Sequence, residues 1–167
     1  AYAATDTEAA IGAGLVLGLP MVFSRRFSKS RLWRTVCEEG CTSLTLLGGM
    51  TTAIYCEPPS PDDRAHQVGT VVSAGMPAAI WKNFEQRFGV HLLEFYGTAE
   101  GGLTLNPPGV GPVGSIGRPP PSLTTRIVDE DGCDVPAGMR GQLLIRAADG
   151  EPFTVSYVDE PEASAAS

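Results

Sequence analysis

An α/β fold, with a parallel βαβ layer followed by a smaller antiparallel β part, is the architecture this 167-residue sequence predicts. Three observations carry it. Apolar runs of strand length alternate with stretches of helical spacing up to Tyr96, and that alternation implies right-handed crossovers and a parallel sheet. The composition changes after Gly101, where "NPPGVGPVGSIGRPPPS" (106–122) is a Gly/Pro loop. Beyond it, "TTRIVDEDGCDVPAGMRGQLLIR" (124–146) reads as antiparallel β around the turn Asp131-Gly132.

The elements follow in order. Glu8 to Leu17 has the composition of a small-residue helix capped from Asp6 or Thr7; Gly18 ends it and Pro20-Met21-Val22-Phe23 supplies a strand. Ser28 is an N-cap for "KSRLWRTVCEE" (29–39), where Leu32, Trp33, Val36 and Cys37 fall at helical spacing until Gly40 stops the helix. The strand "TSLTLL" (42–47) and the helix "GMTTAIYCE" (49–57) repeat the unit, closed by the loop "PPSPDDRAH" (58–66). Next come a strand, "QVGTVVS" (67–73), and a helix from Pro77 through Phe88 with Ile80, Trp81, Phe84 and Phe88 on one face. Leu92, Leu93, Phe95 and Tyr96 form the following strand, which runs into the small acidic loop Gly97 to Gly102. Residues 1–102 are thus the parallel portion, 103–123 the Gly/Pro-rich loop, 124–158 the antiparallel portion and 159–167 a tail. The stretch "EPFTVSYVDEPEASAAS" (151–167) holds one strand-like run and then decays into small residues.

Charge and composition exclude several functions. A formal net charge of -7, with no Lys/Arg run longer than Arg25-Arg26, argues against a nucleic-acid partner. Cys37, Cys41, Cys56 and Cys133 form no C-x-x-C and have only His66 and His91 to join them, so reduced, structural thiols in the cytosol are expected instead of a metal site. The apolar run "IGAGLVLGLPMVF" (11–23) is too short for a membrane span and is interrupted by Gly and Pro; the start lacks the basic region of a signal peptide. A soluble, cytoplasmic chain is the expectation. The absence of an initiator Met suggests a piece of a longer protein.

Two loops stand out because both follow expected parallel strands, whose ends are where α/β sheets bind ligands. "GAGLVLG" (12–18) is not one of them: it has one residue too many for a dinucleotide fingerprint and follows a polar segment, so close helix packing is its reading. "SAGMP" (73–77) ends one strand and opens a helix; "YGTAEGG" (96–102) ends the next. Together they offer backbone N–H groups, a Tyr ring able to stack on a flat base, a Thr hydroxyl and one carboxylate, the types a nucleotide and a hard cation need.

These blocks, in a fixed order with "RRFSKSRLWRTVCEEGCTSL" (25–44), "EPPSPDDRAHQV" (57–68), "IWKNFEQRFGV" (80–90), "EFYGTAEGG" (94–102) and "GSIGRP" (114–119), resemble the adenylate-forming acyl-CoA synthetases. The nearest branches are the very-long-chain acyl-CoA synthetase or fatty acid transport protein group and the carnitine and crotonobetaine CoA ligases. The resemblance covers essentially the whole chain and implies the large N-terminal domain of an acyl-CoA ligase.

The resemblance also implies roles. "YGTAE" is similar to the family's Tyr-Gly-x-Thr-Glu block, which places Tyr96 on adenine, gives Glu100 the Mg²⁺ and a catalytic role, and leaves Thr98 as the candidate α-phosphate contact. Ala74, Gly75 and Met76 would line the adenine and acyl side, with Gly97 and Thr98 completing the nucleotide set. Met50, Gly75 and Gly101 would face the acyl group, with core packing the competing role for Met50 and Ile54. The implied reaction uses ATP, Mg²⁺ and coenzyme A on a small-molecule carboxylic acid, and leaves peripheral membrane association of the parent open. The chain departs from the pattern at Ala99, where the block's Thr is expected, and at Ala3, where family members carry a His. Losing a hydrogen bond to a charged group weakens transition-state binding by about 1.5 to 3 kcal/mol. The family's phosphate loop is expected before residue 1 and its ribose-binding Asp, hinge and catalytic Lys after residue 167, so the isolated segment is expected to be inactive without the rest of the enzyme. The rival reading is a non-catalytic nucleotide- or acyl-binding scaffold module with a degenerate site.

Overall fold

In the computed structural model the described residues are 2–3, 14–98, 101–107, 109–151 and 156–165. Short parallel strands β1 (Tyr2–Ala3), β2 (Val22–Phe23), β3 (Ser43–Leu47), β4 (Thr70–Ala74) and β5 (His91–Gly97) lie in one sheet with β6 (Leu103–Leu105), in the order β2-β1-β3-β4-β5-β6. β1 pairs with both β2 and β3, and β3, β4 and β5 pair in sequence, all in parallel. The connections carry α1 (Leu32–Glu38), α2 (Gly48–Tyr55), a 3-10 turn (Pro61–Arg64) and α3 (Trp81–Phe88). This is the mixed fold expected of strands alternating with helices.

Strand alternation decides what the sheet buries. Leu44, Val71 and Leu92 are in register across β3, β4 and β5 and all are buried. Two residues further along, the next buried row is Leu46, Ser73 and Glu94. The covered face therefore turns from apolar to polar as the parallel strands approach their C-terminal ends.

Helix packing closes the core. Trp81, Phe84 and Phe88 recur on one side of α3 and are buried, and the Phe84 and Phe88 rings lie 4.6 Å apart. Trp33 of α1 stacks on Phe88 at 4.7 Å and on His66 at 4.3 Å. Arg87 pins the α2–β4 connection to α3: its Nε donates to Asp63 Oδ2 at 2.8 Å, and its terminal nitrogens donate to the carbonyls of Tyr55 at 2.7 Å and Pro58 at 3.1 Å. Arg64 donates to the carbonyls of Gln86 and Arg87 at the C-terminal end of α3, where Gly89 takes the left-handed conformation that ends the helix.

Several boundaries differ from expectation. α1 begins at Leu32, with Arg31 as N-cap, because the Ser28 carbonyl accepts the N–H groups of Arg31 and Leu32 in a preceding turn. α3 begins at Trp81, since Pro77 to Ile80 form a turn closed by Ile80 N–H to the Pro77 carbonyl. Residues 67–69 precede β4. β6 falls inside the stretch expected to be loop. Residues 14–17 are helical, whereas the rest of the helix expected over 8–17 lies outside the described residues, as does most of the strand-like run at 152–155. α4 (Pro161–Ala165) occupies part of the expected tail.

The chain divides into two units, Ala1–Tyr96 with Leu105–Gly117, and Gly97–Thr104 with Arg118–Ser167. In the second, β7 (Leu123–Val128) and β8 (Gln142–Ala147) pair antiparallel from Leu123↔Ala147 to Val128↔Gln142. The Asp131-Gly132 turn is present, held by Asp129 Oδ1 accepting the N–H groups of Asp131 and Cys133. It does not join two paired strands directly, because only the single bridge Val128↔Asp134 follows it before β8. Among the described residues no helix is long and apolar enough to cross a membrane.

Candidate active site

The polar row beneath the ends of β3, β4 and β5 organises the "SAGMP" loop. β4 ends at Ala74 and the chain turns at Gly75, whose φ of +77° is a conformation that a residue with a Cβ adopts only under strain. Gly75 N–H donates to Glu94 Oε1 at 2.6 Å. Met76 N–H donates to the same carboxylate, at 3.1 Å to Oε1 and 3.3 Å to Oε2. Glu94 projects from β5, is 4% exposed, and takes backbone amides from a neighbouring crossover as its partners. Burial pushes its carboxyl above the usual carboxylate range, and the two amide donors act in the opposite direction.

A second contact holds the loop from the other side. α2 starts at Gly48, and a Cβ there would collide with the Gly75 carbonyl, so the close approach of helix start and loop depends on glycine. The Gly48 carbonyl in turn accepts the Thr51 hydroxyl at 2.6 Å. Ser73, beside Glu94 in the register, is fully buried and its Oγ has no hydrogen-bond partner among the described residues. Tyr96, two residues beyond Glu94 on β5 and therefore of the same strand parity, is half-buried.

In the second unit, Thr98 closes a turn. Its N–H donates to the Gly102 carbonyl at 3.0 Å, its carbonyl accepts the Gly101 N–H at 3.1 Å, and its Oγ1 accepts the Gly102 N–H at 3.4 Å. A side chain at Gly102 would press on Ile145 Cδ1, at 2.6 Å, so the turn is packed close to β8.

Residues 3–150 match the AMP-binding enzyme family. The chain belongs to that family. Over 154 residues it is 30% identical to sulfoacetate–CoA ligase of Cupriavidus necator, which covers 90% of the chain and 30% of the relative. It is also 36% identical over 105 residues to long-chain fatty acid transport protein 5 of Mus musculus, covering 62% of the chain and 15% of the relative. The chain thus spans between 15% and 30% of the length of these curated relatives. Among solved structures, a benzoate CoA ligase from Burkholderia xenovorans LB400 superposes with a TM-score of 0.79 at 25% identity, covering 92% of the chain and 32% of that protein. ATP-bound MatB from Rhodopseudomonas palustris shares the fold, with a TM-score of 0.79 at 20% identity over 99% of the chain and 34% of that protein.

Within this AMP-binding segment the structure brings Ala74, Gly75, Met76 and Tyr96 to neighbouring strand ends of one unit, with Met76 buried and Gly75 exposed. Gly97, Thr98 and Gly101 are exposed and group with the second unit. Met50 and Ile54 are packed in the hydrophobic core. Ala99 and Glu100, and with Glu100 the metal-ligand assignment, lie outside the described residues. Among the described residues no group of three or more His, Cys, Asp or Glu could hold a metal ion. Gly14 of "GAGLVLG" is a packing glycine, since a Cβ there would overlap the Met21 side chain. His66 is structural: Nδ1 accepts the Val68 N–H, Nε2 lies 3.1 Å from the Asp63 carbonyl, and burial lowers its pKa. Burial raises the thiol pKa of Cys37 and Cys41, which suits unreactive side chains.

Glu94 is the site residue that reading the apolar run overlooked. Its signal was present: an acidic side chain at the inward parity of an otherwise apolar strand, two residues from Leu92 and two from Tyr96.

Proposed function

We propose that this chain is the adenine- and acyl-facing part of an ATP-dependent acid–thiol ligase. The reading rests on one observation above the others. The polar row under the strand ends fixes an exposed main-chain loop at Gly75, one strand away from Tyr96, in a chain of the AMP-binding family. The residues fit a nucleotide: Gly75 presents backbone without a side chain, and the half-buried Tyr96 ring offers a face to a flat base.

In the proposed reaction the substrate carboxylate attacks the α-phosphate of ATP and pyrophosphate leaves, giving a mixed anhydride. The coenzyme A thiol then takes the acyl group, releasing AMP and a proton. The contribution of this chain to both steps is positioning and charge neutralisation. Ala74, Gly75 and Met76 are the proposed lining for the base and the acyl group and Tyr96 the proposed hold on the base; in the second unit, Gly97 and Thr98 are the proposed phosphate contacts and Gly101 a proposed acyl contact. Met50 supports that lining from the core. Glu100 is the proposed ligand of Mg²⁺, which when bound supplies charge neutralisation at the phosphates. A fatty acid is the proposed acid, a choice supported by the similarity to fatty acid transport proteins of mouse and human. We further propose cytoplasmic action, with any membrane association peripheral.

A pyrophosphate-release assay of the full-length protein across carboxylic acids, with ATP and coenzyme A, tests the reading. Acid-dependent release with matching acyl-CoA formation is expected. No acid-dependent release from any member of the panel would mean a non-catalytic binding module.

A further inference from the structure

We propose that Glu94 is a positioning residue for the Ala74–Met76 loop and, through it, sets affinity for nucleotide and acid. The inference rests on the ligase reading above and adds a residue which that reading does not require. Three features of the geometry carry it.

First, the carboxylate is buried in a sheet core and is directed at main chain. Its 2.6 Å and 3.1 Å bonds end on two consecutive amides, those of Gly75 and Met76, so one side chain fixes two peptide planes of the same turn. A charged acceptor makes stronger bonds than a neutral carbonyl would, and the low-dielectric surroundings strengthen them further.

Second, the loop is caught between two supports. Gly48 lies against the Gly75 carbonyl, while Glu94 accepts from the Gly75 and Met76 N–H groups. Met76 is thereby buried and Gly75 stays at the surface. Third, a carboxylate is costly in this place unless it is used. The register neighbours in its row are Leu46 and Ser73, whose hydroxyl has no partner among the described residues, so an apolar residue at position 94 would bury no charge in that row. The burial of a charge is explained by what it orders, and what it orders is the loop proposed to meet substrate.

Kinetics of Glu94→Gln and Glu94→Ala in the full-length protein test this. The glutamine variant keeps an Oε1 acceptor for both amides and loses the negative charge and the 3.3 Å contact from Met76 to the second oxygen. KM values for ATP and acid within about threefold of wild type are expected for it. The alanine variant is expected to raise both KM values about tenfold or more, while KM for coenzyme A and kcat per folded molecule change less. Simple destabilisation would lower the active fraction and leave KM alone. Equal loss in the two variants, or a folded alanine variant with wild-type KM values, would overturn the proposal. Amide hydrogen exchange of the wild type supplies a readout that needs no variant: the Gly75 and Met76 N–H groups should be protected, and exchange at the rate of a free loop would refute the inference. Wild-type protein without acid-dependent turnover would overturn the ligase reading and this inference with it, whereas turnover with an indifferent alanine variant would overturn the inference alone.

Discussion

Individual residues on β5 divide into those the sequence makes visible and those only the fold explains. Tyr96 is visible because an aromatic ring followed by glycine at a strand end is a local pattern. For Glu94 the inward parity is visible but the role is not, because its partners, Gly75 and Met76, lie 19 and 18 positions away and meet it only when β4 and β5 pair. Its ionisation gives a prediction. A carboxyl whose folded pKa is raised contributes stability that is present below its ordinary value of 4.5 and is lost as pH rises through the folded value. Stability measured by denaturation of the full-length protein should therefore fall over that window in wild type relative to Glu94→Gln; parallel curves would show that the carboxyl is not perturbed. Gly48→Ala makes a second case. The added methyl meets the Gly75 carbonyl, so the loop must shift, and KM for ATP should rise with little change in KM for coenzyme A. For Glu100→Gln, the ligase reading predicts a loss of adenylation much larger than any loss of folding stability. Equal losses would make Glu100 a structural turn residue.

Among the elements, α3 is the most legible because Trp81, Phe84 and Phe88 repeat at helical spacing and their burial follows from it. It starts at Trp81 and not at the expected Pro77, because residues 77–80 form a turn. Met76 is tied to β5 through Glu94, and the turn from Pro77 to Ile80 follows it directly. β6 was hidden by its three-residue length and by the glycines before it. Phe84→Ala should cost about 3 to 5 kcal/mol, since the site is fully buried between Tyr55 and Phe88. Arg87→Ala removes the partner of Asp63 and of the Tyr55 and Pro58 carbonyls at a mostly buried site and should cost about 3 kcal/mol. Shifts in urea midpoint at unchanged slope would measure both; a shift under one tenth of these for Arg87→Ala would show that the ion pair is solvated in solution.

At the scale of the whole molecule, the fold class followed from the alternation of apolar runs and helical spacing, and family membership follows from the match over residues 3–150. The division into units was less legible. It interleaves two stretches of chain, with residues 105–117 grouping with the parallel layer and 97–104 with the antiparallel part, and the change of composition after Gly101 coincides with none of the boundaries. The isolated 167-residue chain, which spans at most 30% of the curated relatives cited above, is predicted to form no acyl-CoA. The most direct test of the central claim is mass spectrometry of the full-length protein incubated with ATP, Mg²⁺ and a fatty acid in the absence of coenzyme A. The account predicts an acyl-adenylate at the mass of the acid plus AMP less water, discharged to acyl-CoA when the thiol is added. Nucleotide binding without any adenylate, across acids of short, medium and long chain, would contradict it.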